Sequence, residues 1–119
     1  MVTRLKMKDS MMTILPGGFW IAEIPFTGGV GSKKRPVLVL WSDGQDVVVA
    51  AVTSARPRSP MDVELGDWAG SGLRVASMVR LSRLDCLERS LLLGRVGQIG
   101  SSDAALVRAV WDLRVKPQF

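Results

Sequence analysis

Two apolar, β-branched runs with a glycine-containing turn between them limit this chain more than any other feature. Val37-Leu38-Val39-Leu40-Trp41 is apolar without a break, and Asp46-Val47-Val48-Val49-Ala50-Ala51-Val52-Thr53 follows after Ser42-Asp43-Gly44-Gln45. An unbroken apolar run of this length reads as a strand covered on both faces, and the short link predicts an antiparallel hairpin. The core is therefore expected to be a sheet with this pair at its centre.

The flanking segments extend the same reading. Phe19-Trp20-Ile21-Ala22-Glu23-Ile24, entered through Pro16-Gly17-Gly18 and closed at Pro25, predicts a first strand. Thr27 to Lys34 holds three glycines and no periodicity, which predicts a basic loop. A Pro- and Arg-rich loop, Ser54 to Pro60, precedes a short alternating strand at Asp62-Val63-Glu64-Leu65, and Asp67 to Gly72 reads as a turn region. Leu73 to Leu84 is expected to be extended, with a broken alternation that predicts a bulge or bend. Glu88 to Leu92 reads as a short helical turn and Leu93 to Ile99 as a last strand.

Gly100-Ser101-Ser102-Asp103 predicts a helix start, with a serine cap and an acid in the first turn. Leu106, Val110 and Leu113, flanked by Val107 and Trp111, form its expected apolar face. Trp41 and Trp111 are expected in the core, Trp20 on a dimer face, and Trp68 at a rim or stacked on a base. About five to seven short strands and one terminal helix predict a mainly β protein, a small, partly closed SH3-like barrel with a C-terminal α-helix. Residues 14–119 are taken as that domain and residues 1–13 as a flexible lead-in.

Composition removes several functions. No apolar run approaches the ~20 residues of a membrane-spanning helix, and the lone Cys86 allows no internal disulfide, so a cytoplasmic protein without membrane attachment is expected. With no histidine, the usual Ser-His and Cys-His nucleophile pairs and most zinc sites are excluded, and Cys86 has no base to activate it. The carboxylates Asp62/Glu64 and Asp43/Asp46 lack metal-site spacing, so no metal and no cofactor are expected. Sixteen Lys plus Arg against 11 Asp plus Glu favour a polyanionic partner, and the excess gathers at Lys33-Lys34-Arg35, Arg56 and Arg58, and Arg74, Arg80 and Arg83.

What remains is arginine and hydroxyl chemistry. The paired strands are antiparallel, so the start of the first and the end of the second lie side by side, and with them Arg35 and Thr53. A planar guanidinium grips two phosphate oxygens and a hydroxyl can donate to the same phosphate. From the residues alone two readings stand: a phosphate grip, or an arginine that flanks a proline and a threonine that ends a strand.

The order Gly-Gly-Phe-Trp at 17–20, Lys-Arg-Pro-Val-Leu-Val-Leu at 34–40, Val-Val-Ala-Ala-Val-Thr-Ser at 48–54, Leu-Gly-Asp-Trp-Ala-Gly-Ser-Gly-Leu at 65–73, Ser-Met-Val-Arg-Leu at 77–81 and Ile-Gly-Ser-Ser-Asp at 99–103 resembles the MazF/PemK family of toxin endoribonucleases. The likeness spans about Ile14 to Leu113. It implies an SH3-like barrel with a C-terminal helix, a homodimer, and metal-independent, sequence-specific cleavage of single-stranded RNA as the toxin of a type II toxin–antitoxin system. The implied partner is a cognate antitoxin with an acidic, flexible tail.

Residue by residue, the family's Arg before Pro falls on Arg35 and its strand-end Thr on Thr53, the expected catalytic pair. Ser54 matches a small neighbour and Ser77 a recurring serine; Lys33, Lys34, Arg56, Trp68 and Arg83 complete the expected RNA-binding set. Two departures stand out: Gly31-Ser32-Lys33-Lys34 replaces a more acidic or Gln-bearing loop, and Arg83 stands where some members have Gln. The alternative is a catalytically silent relative that binds a protein, such as gyrase, or a nucleic acid through the same groove.

Overall fold

The computed structural model describes residues 14–119. The expected lead-in over 1–13 lies outside them.

Six antiparallel strands form one sheet: β1 (Gly18–Pro25), β2 (Ser32–Asp43), β3 (Asp46–Thr53), β4 (Asp62–Glu64), β5 (Met78–Glu88) and β6 (Leu92–Gln98). Their spatial order is β4-β5-β3-β2-β1-β6, so the predicted hairpin lies at the centre. A 3₁₀ turn, Arg89–Leu91, joins β5 to β6. The helix α1 (Ser101–Val110) follows, and a π-helical turn, Trp111–Val115, ends it.

The unbroken apolar run of β2 is explained by what covers it. Trp20, Ala22, Val37, Val39, Val47, Val49, Leu87 and Leu92 form one buried cluster; Phe19, Leu38, Ala50, Val52, Val63, Leu65, Val79, Leu81 and Val107 form another. Alternate residues of β1, β2 and β3 supply the two clusters, so the sheet carries a core on each face. Each fully buried Val or Leu contributes about 1.5–3 kcal/mol of transfer free energy.

The expected barrel is not what forms. The sheet is open: β4 and β6 are its edges and do not pair with each other. β4 is only three residues long and spends them on β5, and other elements fill the space between the edges. Both Asp103 carboxylate oxygens accept 2.9 Å hydrogen bonds, one from the Gly66 N–H and one from the Asp67 N–H, which ties the loop after β4 to α1. The same loop presses backbone against backbone onto β6, where Ser71 and Gly72 meet Val96 and Gly97. Contact through a loop and a helix thus takes the place of a closing ladder.

Several local expectations also change. The helix begins after Gly100 with no side-chain cap; Asp103 is in the first turn but is buried and spends its oxygens on the loop. Of the expected apolar face Val107, Val110 and Trp111 pack inward, joined by Val115, while Leu106 and Leu113 are exposed. The inward positions 107, 110, 111 and 115 follow one helical stripe, with Leu106 and Leu113 at its margins. A bulge between Val39 and Trp41 turns Trp41 outward, where its ring meets Trp111 edge-on at 5.6 Å. Trp20 belongs to the core and not to an outer face; its buried Nε1 finds no partner among the described residues. The extended segment expected at Leu73 to Leu84 starts later, at Met78, because Gly72 and Leu73 are still bound to Ala69 and Trp68 by loop hydrogen bonds.

A Cβ on Gly97 would overlap the Ser71 carbonyl oxygen, backbone that has nowhere to go, whereas a Cβ on Gly94 has no atom within 4 Å. Gly97→Ala should therefore lower stability by about 2 kcal/mol, and Gly94→Ala by about 0.5 kcal/mol or less. Urea unfolding of the two variants beside the wild type measures the difference, and equal midpoints would show that the loop contact does not hold the edges together.

Candidate active site

The β2–β3 register sets the site. Val37 pairs with Ala51, so two steps further on Arg35 lies opposite Thr53, on the same side of the sheet. On the neighbouring strands Ala22 stands beside Arg35, Met78 beside Thr53 and Arg80 beside Ala51. An open cleft of about 300 Å³ lies there, lined by Ile24, Pro25, Phe26, Thr27, Lys33, Arg35, Ala51, Val52, Thr53, Arg58, Arg80, Arg83 and Asp85.

Five basic side chains against one carboxylate make this cleft strongly positive. Lys33 and Arg35 alternate along β2 onto the cleft side. Arg83 arrives by a different device. Ala50 pairs with Leu84 and Ala51 with Arg80, so Leu81, Ser82 and Arg83 all lie against one step of β3. This is the irregularity that the broken alternation of β5 predicts, and it pushes Arg83 to the cleft. Thr53 closes its strand with an ST-turn, its Oγ accepting the Ala55 N–H at 3.1 Å. The hydroxyl proton is left to donate outward.

Arg80 is held most firmly. Its Nε donates to Asp62 Oδ1 at 2.9 Å and its Nη2 to Asp62 Oδ2 at 3.3 Å and to the Arg56 carbonyl at 3.4 Å. The Asp62 side chain is wholly buried and that of Arg80 keeps 11% of its exposure, at the cleft. Burial works against the Asp62 charge, but the Arg80 guanidinium and the backbone N–H groups of Arg58 and Ser59 outweigh it and hold the carboxyl below the ordinary aspartate range.

Of the residues expected from sequence, Lys33, Arg35, Thr53 and Arg83 meet at this cleft. Lys34 alternates away from it, in register with Glu23. Ser54 is exposed just beyond β3, and Arg56 contributes only its carbonyl, to Arg80. Trp68 is half-buried against the second core cluster, and the Ser77 hydroxyl donates to the Val75 carbonyl at 2.8 Å. None of these five lines the cleft.

Sequence reasoning passed over Phe26, Arg58, Arg80 and Asp85 as site residues. A signal existed for Arg80: an acid on one short strand and a base on the next suit a cross-strand ion pair. For Asp85 the signal was the lack of histidine, which makes any carboxylate near the site a candidate base. Among the described residues no group of His, Cys, Asp or Glu is arranged to hold a metal ion, and no helix is long and apolar enough to cross a membrane.

Comparison with known proteins places this architecture. Residues 16–111 match the family described as PemK-like, MazF-like toxin of type II toxin–antitoxin system. The chain belongs to that family. No match was found among curated proteins. Similar solved structures include MazE-MazF from Deinococcus radiodurans (22% identity, covering 87% of this chain and 96% of that one, TM-score 0.67). A mycobacterial endoribonuclease in complex with its cognate antitoxin is also similar (18% identity, 88% and 98% covered, TM-score 0.65). So is the Mycobacterium tuberculosis toxin MazF-mt6 (22% identity, 80% and 93% covered, TM-score 0.63).

Because the Asp62 carboxyl sits below its unfolded value, its contribution to stability is complete above the unfolded pKa, roughly 3.9, and is lost as pH falls through the lower folded value. Asp62→Asn should cost about 3 kcal/mol at neutral pH by leaving Arg80 charged and unpaired. The difference from wild type should shrink below pH 4. Thermal melts of both proteins from pH 7 downward test this, and a gap independent of pH would assign the loss to packing alone.

Proposed function

We propose that this chain is the toxin of a type II toxin–antitoxin pair and cuts single-stranded RNA at the cleft between β2, β3 and β5. One observation carries the reading: in a chain of this family, the register brings a guanidinium, a hydroxyl and a lone carboxylate to one strongly basic cleft.

RNA contains its own nucleophile. The 2′-hydroxyl attacks the adjacent phosphorus and expels the 5′-oxygen, giving a cyclic phosphate and a 5′-hydroxyl. The protein has to align the attack, stabilise the charge on the phosphorane oxygens and move protons. DNA lacks the 2′-hydroxyl, so selectivity for RNA follows. Arg35 clamps the non-bridging oxygens with its planar fork, and Thr53 donates its free hydroxyl proton to one of them. Arg80, fixed in place by Asp62, adds positive charge that needs no reorganisation as the transition state forms. Asp85, the one carboxylate in the lining, takes the 2′-hydroxyl proton. The departing 5′-oxygen takes a proton from water, which the open cleft admits.

The same field suits the acidic tail of an antitoxin, which competes with RNA for Arg35 and its neighbours. Leu106, Leu113 and Trp41, apolar and uncovered beside the helix, support self-association of two copies. Substrate sequence preference depends on contacts to bases around this cleft.

Purified protein incubated with a long unstructured RNA and a matched DNA in EDTA tests the reading. RNA alone should be cut. Arg35→Ala and Asp85→Asn should each lose roughly 10²-fold or more in rate, and Thr53→Ala somewhat less. Binding of a 2′-O-methyl RNA, which cannot react, should survive Asp85→Asn. An uncut RNA, or full activity in both Arg35→Ala and Asp85→Asn, would overturn the assignment.

A further inference from the structure

The cleft holds one aromatic residue, Phe26, and nothing in the phosphate chemistry uses it. It stands on the loop between β1 and β2, where an apolar ring has no core to enter and keeps 49% of its exposure. Exposed aromatics on loops are commonly mobile, but this one is restrained on both sides. Its N–H donates to the Gly31 carbonyl at 3.1 Å and its carbonyl accepts the Gly29 N–H at 3.5 Å.

Gly31 explains how the ring is seated. Its φ of +101° is a backbone conformation that side-chain-bearing residues rarely adopt. A Cβ there would meet ring atoms Cδ2 and Cε2 at 3.5 Å, so the ring lies directly over the glycine. One side of the Phe26 ring rests on the Gly31 backbone, and the residue lines the cleft together with Lys33 and Arg35. An aromatic surface beside cations is the combination that holds unpaired nucleic acid: the cations follow the phosphates and the ring takes a base. Trp68, the aromatic that sequence reasoning offers for that task, is half-buried in the core and does not line the cleft.

We infer that Phe26 is the platform on which a nucleobase next to the scissile phosphate stacks, and so a substrate-positioning residue of this site. The inference rests on the RNA-cleavage reading for its context, but it concerns binding and can be read without cleavage. Stacking alone accepts any base, so Phe26 fixes where the nucleotide lies and leaves its identity to other contacts.

A double-mutant cycle tests this with short 2′-O-methyl RNAs that carry a base or an abasic nucleotide on either side of one linkage. Binding is followed by fluorescence anisotropy for wild type, Phe26→Ala, Phe26→Leu and Phe26→Trp. Phe26→Ala should weaken binding of the fully based RNA about 5- to 100-fold, and Phe26→Leu, which keeps the apolar bulk without the ring face, should fare little better. Phe26→Trp should retain wild-type affinity. Removing the base on one side should cost wild type a similar factor and cost Phe26→Ala almost nothing further.

If the losses from Phe26→Ala and from the abasic nucleotide multiply in full at both positions, the ring does not touch a base and the inference is overturned. It is overturned equally if Phe26→Ala binds like wild type, or if wild type binds none of the RNAs. Failure of the protein to cut reactive RNA while the coupling persists would instead overturn the cleavage reading and leave the platform standing. Thermal melts of the variants, all changed in an exposed loop, establish that each is folded.

Discussion

Burial of the β2–β3 ladder on both faces is the constraint from which the rest of the structure follows. A strand covered on one side alternates apolar and polar residues; Val37 to Leu40 does not, so both faces need a cover. One face is covered by residues from β1, β5 and β6, the other by β4, β5 and α1. The ladder emerges from this cover at its two ends, the turn end at Trp41 to Asp46 and the Arg35 and Thr53 end, where the apolar run stops and the basic residues begin. The candidate site therefore sits where the buried pair meets water, on backbone held by the most deeply packed part of the molecule. Such placement keeps functional side chains in register without asking the loops to do so.

Charge in the cleft is organised in two grades. Lys33, Arg35 and Arg83 are exposed, and none of them makes an ion pair among the described residues. Arg80 is different, because a wholly buried carboxylate fixes its plane and its position. Ion pairs of this kind add little net stability, since taking two charges out of water costs about as much as their attraction returns. What the pair supplies is a guanidinium already desolvated and oriented before any anion arrives. A site without histidine depends on such pre-set charge, because its remaining tools are hydrogen-bond donors and one carboxylate.

Legibility in the sequence followed the range of the interaction concerned. The central hairpin, the short strand at Asp62 to Glu64, the 3₁₀ turn and the bulge in β5 all have local causes, and each is readable from spacing and turn residues. Arg35 beside Thr53 is also readable, since an antiparallel hairpin leaves no other arrangement for its ends. What was hidden depends on contacts between distant segments. The open sheet follows from Asp103 gripping Gly66 and Asp67 across more than thirty-five positions of chain. The outward turn of Trp41 follows from a one-residue bulge, which has no sequence mark at this scale. The exposure of Leu106 and Leu113 follows from the way the helix is rotated on the sheet, with Val107, Val110 and Trp111 inward. Arg80, Arg58 and Asp85 come to the cleft from β5 and the loop before β4, elements whose place beside β3 no local pattern states.

Substrate and inhibitor face the same chemistry at this site. A cleft with five basic side chains attracts any flexible polyanion, and attraction by field alone does not distinguish an RNA strand from an acidic peptide. On the proposed reading this is an economy, because an antitoxin tail lying over Arg35 and Lys33 blocks the cleft with no change of fold. The two ligands part company only at groups that are not simply charged. Thr53 and Asp85 act on a phosphodiester and its 2′-hydroxyl, which a peptide lacks, and an aromatic ring offers a flat surface that matches a base better than a carboxylate. Discrimination in such a site therefore belongs to its few neutral and acidic groups, and affinity to its many cations.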